Sequence, residues 1–330
     1  MNILITGGTG FIGSRLALKY LEEGDDVIVF GQNKKPTEND NVQLIESKGG
    51  RVYEVDINNK ESLVQKMQGV NIVFHLAAAQ HEMNIPDKHF RDVNIEGTRN
   101  ILEASIESGV KKYVHGSTIG VYGSLEGEIN EESPTNPDNI YGITKLAGEK
   151  LVLSYKERLP LTAVRITETY GPGDFRLLKL FRTINNKTFR MIGSGENKHH
   201  AIYIDDLIDG LKLLSTDPMA AGELFVLPGK EIVTTNQMVK DIAEVVGKSV
   251  SGLRIPLSPL MAVAAVTEGI LRPIGIQPPI HRRRMDFFKK SFTFSAQKAK
   301  NILNFAPKVG FREGAGKTAE WYIDKGLLKI

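Results

Sequence analysis

Along the first two thirds of the chain, short runs that are apolar almost throughout alternate with longer stretches whose apolar residues recur every three or four positions. Residues 2–5 (NILI), 25–31 (DDVIVFG), 50–57 (GRVYEVDI), 70–79 (VNIVFHLAAA), 113–118 (YVHGST) and 161–167 (LTAVRIT) read as strands. Residues 15–24 (RLALKYLEEG), 61–69 (ESLVQKMQG), 92–109 (DVNIEGTRNILEASIESG) and 141–159 (YGITKLAGEKLVLSYKERL) read as helices. Strands this apolar are buried on both faces, so the order predicts an α/β fold, a doubly wound parallel sheet with helices on each side. Ligands of such a sheet gather at the carboxyl ends of its strands. Thr6, Asp56, Ala77 and Thr118 all fall at such ends.

The pattern predicts two unequal parts. Residues 202–214 (IYIDDLIDGLKLL) and 223–229 (ELFVLPG) return to the sheet, so its domain is expected to comprise residues 1–170 plus about 201–234. Residues 171–200 plus about 235–330, richer in prolines and amphipathic helices, are expected to form a smaller, discontinuous C-terminal domain. The longest apolar stretch runs from Pro259 to Ile276, interrupted by Glu268 and Arg272 with Pro273 close behind. It falls short of the roughly 20 residues that cross a bilayer. A buried or pocket-lining helix is expected there, and no membrane span.

Between the first strand and the first helix lies Thr6-Gly7-Gly8-Thr9-Gly10-Phe11-Ile12-Gly13. Glycines at 7, 10 and 13 let the backbone turn sharply, approach a pyrophosphate closely and pack helix against strand. The first N–H groups of the helix and its positive dipole end then face the phosphates. A glycine turn of this kind also occurs for purely structural reasons. Its place between strand and helix is what points to dinucleotide binding on a Rossmann-type fold.

A second constellation is Tyr141 and Lys145 in YGITK, with Thr118 upstream where a strand ends. Residues four apart share a helix face, so phenol and ammonium can act on one bound molecule. A phenol with an ordinary pKa of about 10 is a poor acid or base at neutral pH, and a neighbouring cation favours its ionised form. Lys145 would lower that pKa while Thr118 holds the reacting oxygen. The same spacing also arises by chance on solvated helices, so the other segments carry the decision.

Composition narrows the class. The 330 residues include no cysteine, which excludes disulfides, thiolate zinc sites and a cysteine nucleophile. The formal charge of +3 is too small for a nucleic-acid footprint, and no nucleic-acid partner is expected. The chain enters a strand directly, without a basic and apolar leader, so a cytoplasmic location is expected. No histidine has metal-ligand spacing to another histidine or to a carboxylate, and no metal is expected.

Taken together, TGGTGFIG at 6–13, Asp56, HLAA at 75–78, NIEGTRN at 94–100, STIGVYG at 117–123, YGITK at 141–145, RITETYGPG at 165–173 and IYIDDL at 202–207 resemble the extended short-chain dehydrogenase/reductases. That family comprises NAD(P)-dependent nucleotide-sugar epimerases, dehydratases and reductases, and the closing segment NILNFAPKVGFREGAGKTAEWYIDKG resembles its tail. The resemblance implies that Gly7, Gly10 and Gly13, with Phe11 and Ile12, hold the pyrophosphate. It places Asp56 and Ile57 beside the adenine, and Leu76, Ala77 and Ala78 beside the ribose. Thr118, Tyr141 and Lys145 match the catalytic triad, in which tyrosine exchanges a proton with the substrate oxygen and the nicotinamide exchanges a hydride with its carbon. Lys145 would also hold the nicotinamide ribose. Asn94 matches a family asparagine, with helix capping as its alternative role. Gln80, His81, Glu168, His200 and Arg284, together with Thr118, are the expected substrate contacts.

Departures from the family pattern bear on the reaction. Dehydratases carry two acids directly after the threonine, where this chain has Ile119 and Gly120, so dehydration is not expected. Epimerases often carry asparagine at Glu168 and an Arg-Gly-Asp near Arg282-Arg283-Arg284-Met285-Asp286. The three arginines either neutralise a diphosphate or form a solvated basic run. After the second strand a carboxylate normally accepts from the ribose 2′-hydroxyl and selects NAD. Here Gly31, Gln32, Asn33, Lys34 and Lys35 offer no acid, and NADP is favoured over NAD. The expected function is oxidation, reduction or epimerisation at a hydroxyl or ketone carbon of a nucleotide-activated sugar. The alternatives are a 3β-hydroxysteroid-type dehydrogenase of a hydrophobic alcohol, which would use residues 257–276 as a pocket, and a non-catalytic NAD(P)-sensing protein. The resemblance further implies a homodimer built on Ile101, Leu102, Ala104, Ser105 and Ile106 of one helix and Leu146, Ala147, Leu151, Val152 and Tyr155 of another.

Overall fold

The computed structural model describes residues 1–32, 36–80, 85–250, 252–271 and 282–330, with only the backbone given for Glu268, Leu271 and residues 282–284. Its main elements begin with β1 (Asn2–Thr6), α1 (Phe11–Glu22), β2 (Asp26–Gly31), α2 (Pro36–Ser47), β3 (Arg51–Glu54), α3 (Lys60–Lys66) and β4 (Ile72–His75). There follow α4 (Asp87–Arg91), a π-helical turn (Asp92–Gly97), α5 (Thr98–Glu107), β5 (Lys112–Thr118), α6 (Ile140–Leu153) and β6 (Leu161–Ile166). The remainder comprises α7 (Leu178–Asn185), α8 (Ile204–Thr216), β7 (Leu224–Leu227), α9 (Thr235–Val245), α10 (Leu257–Leu271), α11 (Arg282–Lys289), α12 (Gln297–Leu303) and α13 (Phe311–Asp324).

The seven strands form one parallel sheet in the order β3-β2-β1-β4-β5-β6-β7. Side chains alternate across it with period two. Ile3, Ile5, Val27, Val29 and Phe74 lie in a core with Leu16 and Tyr20 of α1 and Leu207 and Leu211 of α8. Leu4, Ile28, Phe30 and Val73 lie in a second core with Leu63 of α3, Ile101 and Leu102 of α5 and Val152 of α6. Each such buried aliphatic side chain contributes about 1.5–3 kcal/mol relative to an exposed one. The larger core continues without a break into α7, α9 and α13.

Three elements differ from the sequence expectation. Helix α2 was invisible to periodicity, because only Ile45 of its twelve residues is buried. The single helix expected over 92–109 is instead a π turn followed by α5, and α4 runs directly into that turn. Tertiary packing explains the interruption. A Cβ at Gly97 would meet Ile57 at 2.3 Å, and one at Gly148 would meet the Asn94 carbonyl oxygen at 2.5 Å, so the turn is wedged between the β3 exit and α6. The apolar stretch expected to be a buried or pocket-lining helix forms α10, of whose described side chains only Ala264 is buried; the part beyond residue 271 lies outside the described residues. No helix among the described residues is long and apolar enough to cross a membrane.

Candidate active site

The glycine loop joins β1 to α1 at the carboxyl edge of the sheet. Gly7 has φ +69°, and a Cβ there would lie 2.8 Å from the Ala77 nitrogen. A Cβ at Gly13 would lie 2.4 Å from the Gly7 carbonyl oxygen, so any side chain would push α1 away from the strand. Gly10 caps α1 with no side chain to accept its first N–H groups, and no acid lies in the first turn. A helix start with uncapped donors and close backbone packing fits a phosphate. Phe11 packs near the later turn, where a Cβ at Gly173 would come within 3.1 Å of its ring.

Behind the loop runs a buried relay. The Ala77 N–H donates to Thr6 Oγ1 at 3.2 Å, and Thr6 Oγ1 lies 2.7 Å from His75 Nδ1. His75 Nε2 lies 3.0 Å from Thr98 Oγ1, which donates its one proton to the Asn94 carbonyl. The Nε2 proton is therefore His75's own, and Nδ1 accepts from Thr6. Burial, reinforced by the charge of Lys145, pushes the His75 pKa down to about 3 and keeps the ring neutral. Asn94 closes the relay by accepting from the Ala79 N–H at 2.8 Å and donating to the Ala79 carbonyl and to Thr144 Oγ1. The segment 76–79 leaving β4 is thus held on both sides.

Strand β5 ends at Thr118, whose Oγ1 accepts from the Gly120 N–H at 3.1 Å. Helix α6 starts beside it, capped by Asn139, whose side chain accepts from the Gly142 N–H at 3.0 Å. A Cβ at Gly142 would sit 2.6 Å from the Gly120 carbonyl oxygen, which shows how tightly the two segments approach. A Cβ at Gly120 would lie 3.5 Å from Thr118 Oγ1 and 3.9 Å from the Tyr141 ring, so hydroxyl and phenol flank the same glycine. One turn on, the buried Lys145 donates from Nζ to the Gly116 carbonyl at 2.6 Å. Burial lowers its pKa to about 8, against the opposing pull of Glu149.

Sequence reading missed what lies beneath Lys145. Glu149 is buried and pairs with Arg165 at 2.6 Å, accepts from Ser117 Oγ at 2.6 Å, and Arg165 in turn donates to the Tyr122 hydroxyl at 2.7 Å. The signal was present, since Glu149 follows Tyr141 and Lys145 at intervals of four on one helix face. Its partner Arg165 sits on β6 and no local pattern names it.

The expected substrate contacts are dispersed in role. Glu168 lies two residues past Ile166, which pairs with Thr118 across β5 and β6. It is half-buried and lies 3.0 Å from Nδ1 of the buried His199. Burial works against its charged form, yet the His199 hydrogen bond, with Arg176 nearby, holds its carboxyl below the usual glutamate range. His200 spends both ring nitrogens internally, donating to the Gly229 carbonyl at 2.9 Å and accepting from the Phe294 N–H at 3.1 Å. Gln80 is exposed at the end of the β4 exit. Asp56 is exposed and accepts from the Asn58 backbone and side chain, while Ile57 packs on the π turn at Gly97. At the end of β2, Gln32 accepts from Thr9 Oγ1 through its carbonyl. Asn33, Lys34, Lys35 and His81 lie outside the described residues, as do the side chains of Arg282, Arg283 and Arg284. Among the described residues no cluster of three or more metal-ligating side chains occurs.

A sheet ordered in this way, with a glycine loop and a threonine, tyrosine and lysine meeting at its carboxyl edge, defines a dinucleotide-dependent class of enzyme. The sequence profile of the NAD dependent epimerase/dehydratase family matches residues 3–227, and the chain belongs to that family. It is 28% identical over 296 residues to 3beta-hydroxysteroid-dehydrogenase/decarboxylase isoform 1 of Arabidopsis thaliana, covering 83% of this chain and 67% of that one. It is 26% identical over 334 residues to dTDP-D-glucose 4,6-dehydratase of Mus musculus, covering 97% and 88%. The crystal structure of UDP-glucuronic acid 4-epimerase from Bacillus cereus in complex with NAD superposes with a TM-score of 0.80 at 24% identity, covering 98% of this chain and 99% of that one. Because a dehydratase stands among these relatives, family membership lends no support to the exclusion of dehydration drawn from Ile119 and Gly120.

Proposed function

We propose that the chain is an NAD(P)-dependent oxidoreductase or epimerase acting at a hydroxyl or ketone carbon of a nucleotide-activated sugar. One observation carries this reading: Thr118 and Tyr141 flank Gly120 one helical turn from the buried Lys145, at the sheet edge that also carries the uncapped glycine loop. Residues 1–170 with about 201–234 form the cofactor part in this reading, and 171–200 with about 235–330 the substrate part. Gly7, Gly10, Phe11, Ile12 and Gly13 would hold the pyrophosphate, and Leu76, Ala77 and Ala78, braced by Asn94, would border the ribose. The dinucleotide, when bound, supplies hydride exchange at the nicotinamide.

Tyr141 moves the proton at the substrate oxygen, and Thr118 orients that oxygen. Lys145, positively charged at neutral pH and one turn away, favours the ionised phenol through its field. Glu149 and Arg165 anchor α6 one turn past Lys145 and are not placed against substrate. Ile119 and Gly120, where a dehydratase carries acids, favour epimerisation or net redox chemistry over loss of water. NADP is the cofactor we favour, since no carboxylate follows β2 to receive a 2′-hydroxyl. The similarity to a hydroxysteroid dehydrogenase keeps a hydrophobic alcohol as the second reading.

A thermal-shift panel tests the choice, because a ligand that binds only the folded state raises apparent stability by mass action. UDP-, GDP- and dTDP-sugars are compared with sterol-like alcohols, each with NAD and with NADP. Stabilisation by a nucleotide sugar in the presence of cofactor is expected. Stabilisation by the alcohols alone would transfer the assignment to the second reading, and no shift with either cofactor would leave the chain outside both.

A further inference from the structure

Helix α10 presents an unusual surface. Pro259, Ala262, Val263, Val266, Gly269 and Ile270 are exposed, and their spacing of three and four places them on one face. Val266 is 60% and Ile270 63% exposed, and no member of the stripe is charged. Just before it, Ile255 of the short strand Arg254–Ile255 and Leu253 on its approach are also exposed. Single exposed apolar residues are ordinary, whereas a contiguous stripe marks a contact surface.

Positive charge is concentrated beside that stripe. Among the described side chains of residues 252–271 and 282–290, Arg254, Lys289 and Lys290 are basic and Asp286 is acidic, with Lys290 paired to Asp138 and Asp286. Helix α11, which ends in the exposed Lys289, packs against α10. Next to the strand that leads into α10 opens a cavity of about 440 Å³ whose lining mixes Lys240, Lys248, Arg254 and Glu244 with the apolar Val239 and Val250. Its one acid, Glu244, is paired with Arg312 at 3.0 Å.

An apolar stripe with a basic rim suits a surface that is apolar inside and anionic outside. A second copy of this chain would instead bring one basic rim against another. The 15 residues of α10 extend about 22 Å, short of the roughly 30 Å hydrocarbon layer, so the helix would lie along the interface rather than cross it. We propose that α10 docks flat on an anionic phospholipid surface, with the stripe entering the headgroup boundary and the cavity of Lys240, Lys248 and Arg254 receiving a lipid phosphate. The substrate-facing part of the molecule would then work at a membrane surface.

Co-sedimentation of the full chain with vesicles tests this. Binding is expected to phosphatidylcholine vesicles containing equal phosphatidylglycerol, and little to phosphatidylcholine alone. Lys240→Ala and Lys248→Ala should each lower partitioning by roughly fivefold, the effect of one basic residue near such a surface. The double variant Val266→Glu, Ile270→Glu should abolish it, with thermal melting confirming the fold, since both positions are exposed. Failure of the wild type to sediment with anionic vesicles would overturn the proposal, as would equal sedimentation of the glutamate variant. Light scattering that shows α10 joining two copies, undone by the same glutamates without any vesicle binding, would also overturn it.

Discussion

Lys145 sets stability against chemistry. Its pKa falls from 10.5 to about 8 on burial, so the unfolded chain binds that proton more tightly than the folded one. The cost, on the order of 3 kcal/mol, is therefore complete below about pH 8 and relieved as pH rises toward the unfolded value. Lys145→Met should be more stable than the parent at neutral pH, less the lost bond to Gly116, and the difference should shrink at alkaline pH. Denaturant melts at the two pH values check this; an equal difference at both would refute the linkage. The same variant should lose turnover and cofactor affinity together. Tyr141→Phe should lower turnover by roughly 100-fold or more, as loss of a general acid or base does, with cofactor binding nearly unchanged by titration.

At the scale of elements, the approach of α6 to its neighbours decides the site. Gly148→Ala would gain about 1 kcal/mol of helix propensity, yet its methyl would sit 2.5 Å from the Asn94 carbonyl oxygen, a backbone atom that cannot rotate away. The clash should win, costing about 1–3 kcal/mol and lowering turnover by displacing Tyr141; a more stable and equally active variant would show α6 to be looser than its contacts imply. The end of β2 poses a similar problem for cofactor choice. A Cβ at Gly31 would come 2.4 Å from Thr9 Cγ2, so Gly31→Asp alone is expected to destabilise the loop. Thr9→Gly combined with Gly31→Asp should move preference toward NAD, read from the ratio of the two dissociation constants; a parent that already binds NAD more tightly would remove the basis for NADP.

For the whole molecule, the proposed homodimer rests on α5 and α6. Ile101, Leu102, Ala104 and Ser105 are already buried inside the single chain, and Val152 with them. Ile106, Leu146, Ala147, Leu151 and Tyr155 are half-buried, and Ile143 is exposed. That remnant is the surface left for a twin. Light scattering at low micromolar concentration should return the mass of two chains, unaffected by the glutamate substitutions in α10; the mass of one chain, with or without cofactor, would leave α5 and α6 as sheet-covering helices only.

The strand and helix alternation, the glycine loop and the Tyr141–Lys145 pair were legible in the sequence because each rests on spacing along a few consecutive residues. Strands apolar on both faces could only enter a covered parallel sheet, and Gly7 and Gly13 stood where close backbone packing leaves room for nothing else. What tertiary structure alone decided joins residues far apart. The π turn at Asn94 exists because Ile57 and Gly148 close on it, the Glu149–Arg165 pair needs β6 beside α6, and His200 is consumed by Gly229 and Phe294. Helix α10 makes the same point in reverse. Its apolar composition reads as core, but burial depends on whether the rest of the chain folds over it, and composition carries no information about that.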